Sequence, residues 1–209
     1  LARMQAKMLI PNDPLFTNQW NLFNFGQSNA APGEDINVIS VWDTYTGSGV
    51  NIAIVDDGLQ VAHPDLLSNV NTFIDFDYRG FDLDPSPGST LDAHGTAVAG
   101  VAAAKGNNNI GVSGVAFDAG LVGLRLIGGP SSDFTTAQAL LHSNQVIHVS
   151  NNSWGWNNPL ARFVIPAGKI TEAAFEEGTT SGRGGLGTIF AFAAGNGGDE
   201  FDDANYSGL

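Results

Sequence analysis

Residues 49–58 read "GVNIAIVDDG", and this stretch decides the fold. Val50, Ile52, Ala53, Ile54 and Val55 make a short, nearly continuous apolar run that stops at Asp56-Asp57-Gly58. A strand with one wet face would alternate apolar and polar residues. An unbroken run of this length predicts a strand buried on both faces, as in a parallel sheet. The acids that end it then lie at the carboxyl edge of the sheet, where parallel sheets gather their functional groups.

The flanking sequence extends the pattern. "HGTAVAGVAAAKG" (94–106) is alanine-rich, closes in Lys-Gly, and predicts a helix. "AGLVGLRLI" (119–127) predicts a strand, and "DFTTAQALLHS" (133–143) a helix capped by Asp133. "QVIHVSNNS" (145–153) predicts a strand, "PAGKITEAAFEEGTTSGRG" (166–184) a helix opened by Pro166 and closed in glycines, and "LGTIFAFAAGN" (186–196) a further strand. This alternation predicts an α/β fold: a doubly wound parallel sheet with helices on both faces. No repeat or low-complexity linker divides the chain, so residues 1–209 are expected to belong to one domain, with 1–12 as an N-terminal segment.

Composition narrows the function. The chain carries 21 acidic against 8 basic residues, a net charge of −13. That balance opposes nucleic acid, whose phosphates reward the opposite sign, and suits cationic peptides or metal cations. With no cysteine there are no disulfides, thiolate metal sites or cysteine nucleophiles. No apolar window approaches the roughly 20 residues that span a bilayer, so no membrane partner is expected. The opening "LARMQAKMLIPNDP" is too short and too mixed for a signal peptide. A soluble protein is expected, its compartment (secreted, periplasmic or cytoplasmic) left open.

The expected carboxyl ends of the strands collect a chemistry. Asp56-Asp57-Gly58, Asn152-Ser153-Trp154-Gly155 and Ala194-Gly195-Asn196-Gly197 fall there, and His94 opens the intervening helix. An acid that orients a histidine, a histidine that accepts a nucleophile's proton, and an amide aimed at an oxyanion together perform acyl transfer. The order acid-then-histidine is that of subtilisin, not of chymotrypsin or the α/β-hydrolases.

"VNIAIVDDGLQVAHPDL", "HGTAVAG", "NNSWG" and "IFAFAAGNGG" resemble the motifs of subtilisin-like serine proteases. "NDPLFTNQWNL", the Asp-Asp-Gly doublet and "GRGGLGTIFAFAAGNGG" narrow the resemblance to the kexin and furin branch, with its bacterial calcium-dependent members. It runs from about Pro11 to the last residue. It implies Asp56 as orienting acid, His94 as general base and Asn196 as oxyanion donor. His63, His142 and His148 match no catalytic position and read as structural.

The family's nucleophile is a serine in a Gly-Thr-Ser-x-Ala-x-Pro stretch, and none occurs in these 209 residues; Ser207 lies in "NYSGL". The resemblance therefore implies the N-terminal portion of a serine endopeptidase domain. The serine is expected on a C-terminal fragment of the same precursor, or missing. The alternative is a catalytically inactive calcium-binding module or regulatory half. A nucleotide-binding reading fails on "DDGLQ", which puts acids where phosphate needs amide donors.

The resemblance also implies calcium. In the loop "AAAKGNNNIGVSGVA" (102–116), the implied ligands are the Asp13 and Asp65 carboxylates, the Asn108 side chain and the backbone oxygens of Lys105, Ile110 and Val112. A second implied site takes Asp77, Asp82 and Asp84 of "DFDYRGFDLDPSPG" (75–88), three acids that repel one another without a cation. A third would draw on Asn158 and Asp202, but Asn158 replaces an expected aspartate. For the substrate, Asp57 is expected to face a basic residue, and Ser153, Trp154 and Gly155 to pair with the peptide backbone. Asn158 and Ser207 stand where members cutting at paired basic residues carry acids, which leaves a preference for a single Arg or Lys.

Overall fold

The computed structural model describes residues 9–27, 29–155 and 166–196. Five parallel strands, β1 (Asn51–Asp56), β2 (Phe76–Asp77), β3 (Gly120–Arg125), β4 (Val149–Asn152) and β5 (Ile189–Phe192), form one sheet in the order β2-β3-β1-β4-β5. The stretch read first from the sequence is thus the central strand. It pairs with β3 from Asn51↔Gly120 to Asp56↔Arg125, and with β4 from Ile52↔Val149 to Ile54↔Asn151.

Both faces of β1 are covered, as its unbroken apolar run requires. Ile52 and Ile54 pack with Leu121 against Ala99 and Ala103 of α1 (His94–Ala103). Ala53 and Val55 point the other way and pack with Val122 and Leu124 against Ala139 of α2 (Asp133–Leu140). α3 (Lys169–Thr180) lies on α2 through Ala137, Leu140 and Ala174, with Phe175, Phe190 and Phe192 at the margin. The fold is α/β with helices on both faces. Small side chains on α1 and α2 let the helices sit close to the sheet.

Three details depart from the sequence reading. Ser132, not Asp133, caps α2: its Oγ accepts from Thr135 N at 3.1 Å while Thr135 Oγ1 accepts from Ser132 N at 2.9 Å, a reciprocal capping box. Asp133 serves a different helix, accepting from Ile170 N and Thr171 N, each at 3.0 Å. That cap from another element fixes the start of α3 at Lys169, three residues after Pro166, because its own N-cap, Gly168, has no side chain. Third, β2 was not anticipated. It is two residues long and carries an acid in place of an apolar run.

The histidines outside the catalytic motif bond to the surrounding fold. His148 Nδ1 accepts from Asn51 N, and His63 Nδ1 from Asp65 N. His142 lies between the Tyr78 hydroxyl and the Ile74 carbonyl, and burial pushes its pKa down.

Residues 16–42 add no strand and instead form an apolar cluster of their own. Phe16, Leu22, Val38, Ile39 and Trp42 close over Phe117. Trp42 is 2% exposed, stacks edge-on against Phe117 and donates Nε1–H to the Val115 carbonyl at 2.8 Å. Replacing Trp42 by Ala in the full-length protein is expected to cost about 3–5 kcal/mol through the cavity left behind. Trp42→Phe, which keeps a ring but loses the hydrogen bond, is expected to cost about 1 kcal/mol plus a smaller packing loss. Denaturant unfolding measures both, and a Trp42→Ala cost below about 1 kcal/mol would mean that this cluster does not unfold with the sheet.

Candidate active site

The site begins where a helix start meets a strand end. β1 delivers Asp56 at its last position, and α1 begins with His94. Gly95 makes the approach possible. A methyl group there would fall 2.3 Å from the Gly58 carbonyl oxygen and 2.7 Å from Asp56 Cβ. Any side chain at this position would push the helix off the strand and the imidazole off the carboxylate.

With the helix seated, His94 Nδ1 lies 2.8 Å from Asp56 Oδ1 and 3.0 Å from Oδ2. An ionised carboxylate can only accept, so Nδ1 carries the proton and Nε2 is left with a free lone pair. The Asp56 side chain is 0% exposed while that of His94 is 55% exposed, which suits an orienting acid beneath a working base. Burial pushes the Asp56 carboxyl up, opposed by the hydrogen bonds from His94 and from Asp57 N–H. The Asp56 hydrogen bond in turn holds the imidazole above its ordinary range, against its own partial burial.

Asp57 follows Asp56 at the end of β1. Its carboxylate turns inward to α1, with Oδ2 accepting from His94 N at 3.1 Å and Oδ1 from Gly95 N at 2.7 Å. Sequence reading also missed Arg125. It stands beside Asp56 in the β1–β3 register, donates Nε–H to the Asp57 carbonyl at 3.2 Å and Nη1–H to Asp77 Oδ2 at 2.9 Å, and lies 3.9 Å from Asp92. The available signal was a cation ending a buried strand level with Asp56.

Ser153, Trp154 and Gly155 follow β4 outside the ladder. Ser153 Oγ accepts from Asn151 Nδ2, and Trp154 packs edge-on against Phe192 of β5. Asn196 follows β5 in an exposed bend. Two strand spacings separate β5 from β1, so the two strands lie about 10 Å apart across the sheet, and Asn196 follows four residues beyond the end of β5. Asn158, Asp202 and Ser207 lie outside the described residues.

Of the residues of the first implied calcium site, Asp13, Asp65 and Asn108 lie together. Asp13 and Asp65 are 4% and 2% exposed. Asp13 accepts from Asn107 N and Asn108 N, while Asp65 accepts from Asn108 Nδ2 and Val112 N. Neither carboxylate forms a salt bridge among the described residues. Two buried acids on one loop whose cationic side chain, Lys105, pairs with Asp118 instead, amid amide and carbonyl groups, fit a hard cation. They remain two; no group of three or more acids and histidines fit for a metal gathers among the described residues.

At the second implied site, a methyl group on Gly80 would meet Asp77 Oδ2 at 2.9 Å and Asp82 Oδ2 at 3.1 Å, so both carboxylates face one point. Asp84 accepts from Ser86 N beside them. Asp77, however, already faces the Arg125 guanidinium. The repulsion read from the sequence is thus relieved in part by a cation from β3.

The subtilase family profile matches residues 47–208. The chain is 41% identical over 202 residues to neuroendocrine convertase 2 of Homo sapiens, covering 94% of this chain and 31% of that protein. It is 38% identical over 210 residues to proprotein convertase subtilisin/kexin type 4 of Rattus norvegicus, covering 99% and 30%. The crystal structure of a serine protease of Aeromonas sobria superposes with a TM-score of 0.78 at 34% identity, over 90% of this chain and 33% of that one. A second crystal structure holds the Aeromonas sobria protease with a chaperone. The chain spans about a third of the length of these relatives. Among the described residues no helix is long and apolar enough to cross a membrane. Profile, sequence identity and backbone superposition all cover most of this chain, and it belongs to the subtilase family, among the kexin-like members.

Proposed function

We propose that this chain is the N-terminal portion of a calcium-dependent serine endopeptidase domain. It supplies the acid, the base and the oxyanion amide, while the nucleophilic serine is carried on polypeptide outside these residues. The observation that carries the reading is the hydrogen bond from His94 Nδ1 to the buried Asp56, with the imidazole 55% exposed and no bond to Nε2 among the described residues. Two further observations support it: no Gly-Thr-Ser stretch occurs in the sequence, and among the described residues β5 pairs with β4 alone. A C-terminal fragment of the same precursor is the proposed partner and would extend the sheet at that edge.

In this mechanism His94 Nε2 takes the serine hydroxyl proton as Oγ attacks the substrate carbonyl carbon. Asp56 stays ionised and stabilises the imidazolium. Asn196 donates its side-chain N–H to the oxyanion of the tetrahedral intermediate. The imidazolium then gives its proton to the leaving amine. The backbone at Ser153, Trp154 and Gly155 would pair with the substrate peptide, which gives affinity without sequence preference. The net charge of −13 favours cationic substrates, and with Asn158 and Ser207 uncharged the specificity reads as a single Arg or Lys before the scissile bond.

Calcium, when bound, would supply charge neutralisation and a tie between remote segments. Its proposed holders are Asp13, Asp65, Asn108 and the carbonyls of Lys105, Ile110 and Val112, and at the second site Asp77, Asp82 and Asp84. An inactive calcium-binding module is the competing reading. Treating the full-length protein with a serine-directed phosphonate, then mapping the adduct, separates the two. An adduct on a serine outside residues 1–209 is expected. Labelling at Ser207, or no labelling of a folded full-length protein, would overturn the proposal.

The pH profile follows from the pair. Only neutral imidazole accepts a proton, and Asp56 raises the His94 pKa, so activity should fall on the acid side at a higher pH than the ordinary imidazole value of about 6.5. In kcat/KM against pH, Asp56→Asn should move that limb downward while lowering the rate itself by about ten-thousand-fold. His94→Ala should lose on the order of a millionfold in kcat with little change in folding. An unmoved acid limb in Asp56→Asn, or a His94→Ala rate above about a hundredth of the parental one, would remove the assignment.

Calcium should raise the melting temperature. A ligand bound only by the folded state stabilises by about 2.7 kcal/mol at a hundredfold excess over Kd. Chelation should lower the melting temperature of the full-length protein and open the 102–116 loop to cleavage. Asp65→Asn should reduce the calcium effect more than Asp77→Asn, because Asp65 shares its loop with the remote Asp13, whereas Asp77 already has Arg125. Identical melting curves in chelator and in millimolar calcium would contradict the calcium proposal.

A further inference from the structure

We propose that a groove running the length of α1 binds an apolar stretch of about four substrate residues after the scissile bond. The proposal rests on the endopeptidase reading above and adds a second recognition element to that site. The groove holds about 1200 Å³ between α1, the 60–66 turn and the N-terminal segment at 15–21. One wall starts beside the base. Ala97 and Val101 line it, three and seven residues on from His94, and so continue the stripe of the helix that His94 heads. Leu15, Leu66 and Val112 stand across from them.

The lining sets the chemistry of the occupant. Val101 is 59% and Leu15 49% exposed, so large apolar side chains stand open to water along one groove, the mark of a recognition surface. Its two carboxylates have other partners: Asp65 accepts from Asn108 and Val112, and Asp92 lies 3.9 Å from Arg125. A neutral, apolar segment therefore fits here better than the basic residue expected before the cut. The helix sets the direction. Val98 and Ala102 pack on the same core cluster as Val149 of β4, while Ala97 and Val101 turn away from it. With the acyl side of the peptide paired beyond β4, and His94 protonating the leaving amine, the residues after the cut pass onto the groove's side of α1. From His94 to Ala104 the helix advances about 15 Å, the reach of about four extended residues. There is room for them: a methyl group on Gly100 would meet nothing beyond its own helix within 4 Å among the described residues.

The test uses the full-length protein and two peptides that share an arginine before the cut and an alanine after it. One continues as Leu-Val-Leu, the other as Ser-Gly-Ser. Groove binding predicts that kcat/KM favours the apolar peptide by about ten- to a hundredfold. Gly100→Gln, which projects a polar side chain into the groove, should cut that ratio to within about threefold. Ala97→Gln carries the same comparison if Gly100→Gln fails to fold. Equal rates on the two peptides, or a ratio unchanged in a folded variant, would overturn the proposal. A ratio that emerges only when residues 1–8 are deleted or the protein is diluted would overturn it too, by showing the chain's own N-terminal segment or a second copy in the groove. A parent that cleaves neither peptide refutes the endopeptidase reading instead. Calorimetry with free Ala-Leu-Val-Leu then still decides the groove. A Kd weakened about tenfold by Gly100→Gln supports it; no binding, or a Kd that the variant leaves unchanged, overturns it.

Discussion

The site depends on the close approach of two backbones, the first turn of α1 and the end of β1. At Gly95 there is no room for a methyl group, since its carbon would lie 2.3 Å from the Gly58 carbonyl. That constraint brings a helix-borne imidazole and a strand-borne carboxylate to 2.8 Å. The parallel sheet then places the rest. β4 and β5 run beside β1 in the same direction, so the chain leaving them, Ser153 to Gly155 and Asn196, starts from the edge where Asp56 ends. Pre-organisation of this kind resides in the backbone before any side chain acts.

An acidic protein must still bury acids, and this one does so in different ways. Asp56 is held by an imidazole and an amide, Asp57 by two amides of a helix start, and Asp77 by a guanidinium from the neighbouring strand. Asp13 and Asp65 rely on neutral donors alone among the described residues. This contrast separates the two implied calcium sites. The pair with only neutral partners has the larger unmet demand for a cation.

Much of this was readable in the sequence because the signals are local. A continuous apolar run reports burial on both sides, and the motif order acid, histidine, asparagine reports the family. What stayed hidden is tertiary. Nothing beside Asp133 reveals that it caps α3, because its partners, Ile170 and Thr171, lie 37 and 38 residues away. Arg125 is inconspicuous until the β1–β3 register sets it beside Asp56. The doublet Asp56-Asp57 looks like two similar acids, yet one faces an imidazole and the other a helix start. β2 escaped for a different reason: two residues carry no periodicity to detect.

The N-terminal segment has a consequence for the order of events in the native state. It crosses the loop after α1 through Asp13 to Asn107 and Asn108, Leu15 to Gly111, and Gln19 to Ser113. The Asp13–Asn107 contact joins residues 94 positions apart, and closing a flexible loop of that length costs about 4 kcal/mol in chain entropy. These hydrogen bonds lie outside the sheet, whereas the β1–β3 ladder is buried beneath two helices. The strap can therefore lift as a unit while the sheet stays closed. Amides at 107, 108 and 113 will exchange with solvent through that partial opening, on a shorter clock than those of β1, and a protease reaching the loop needs only this local event.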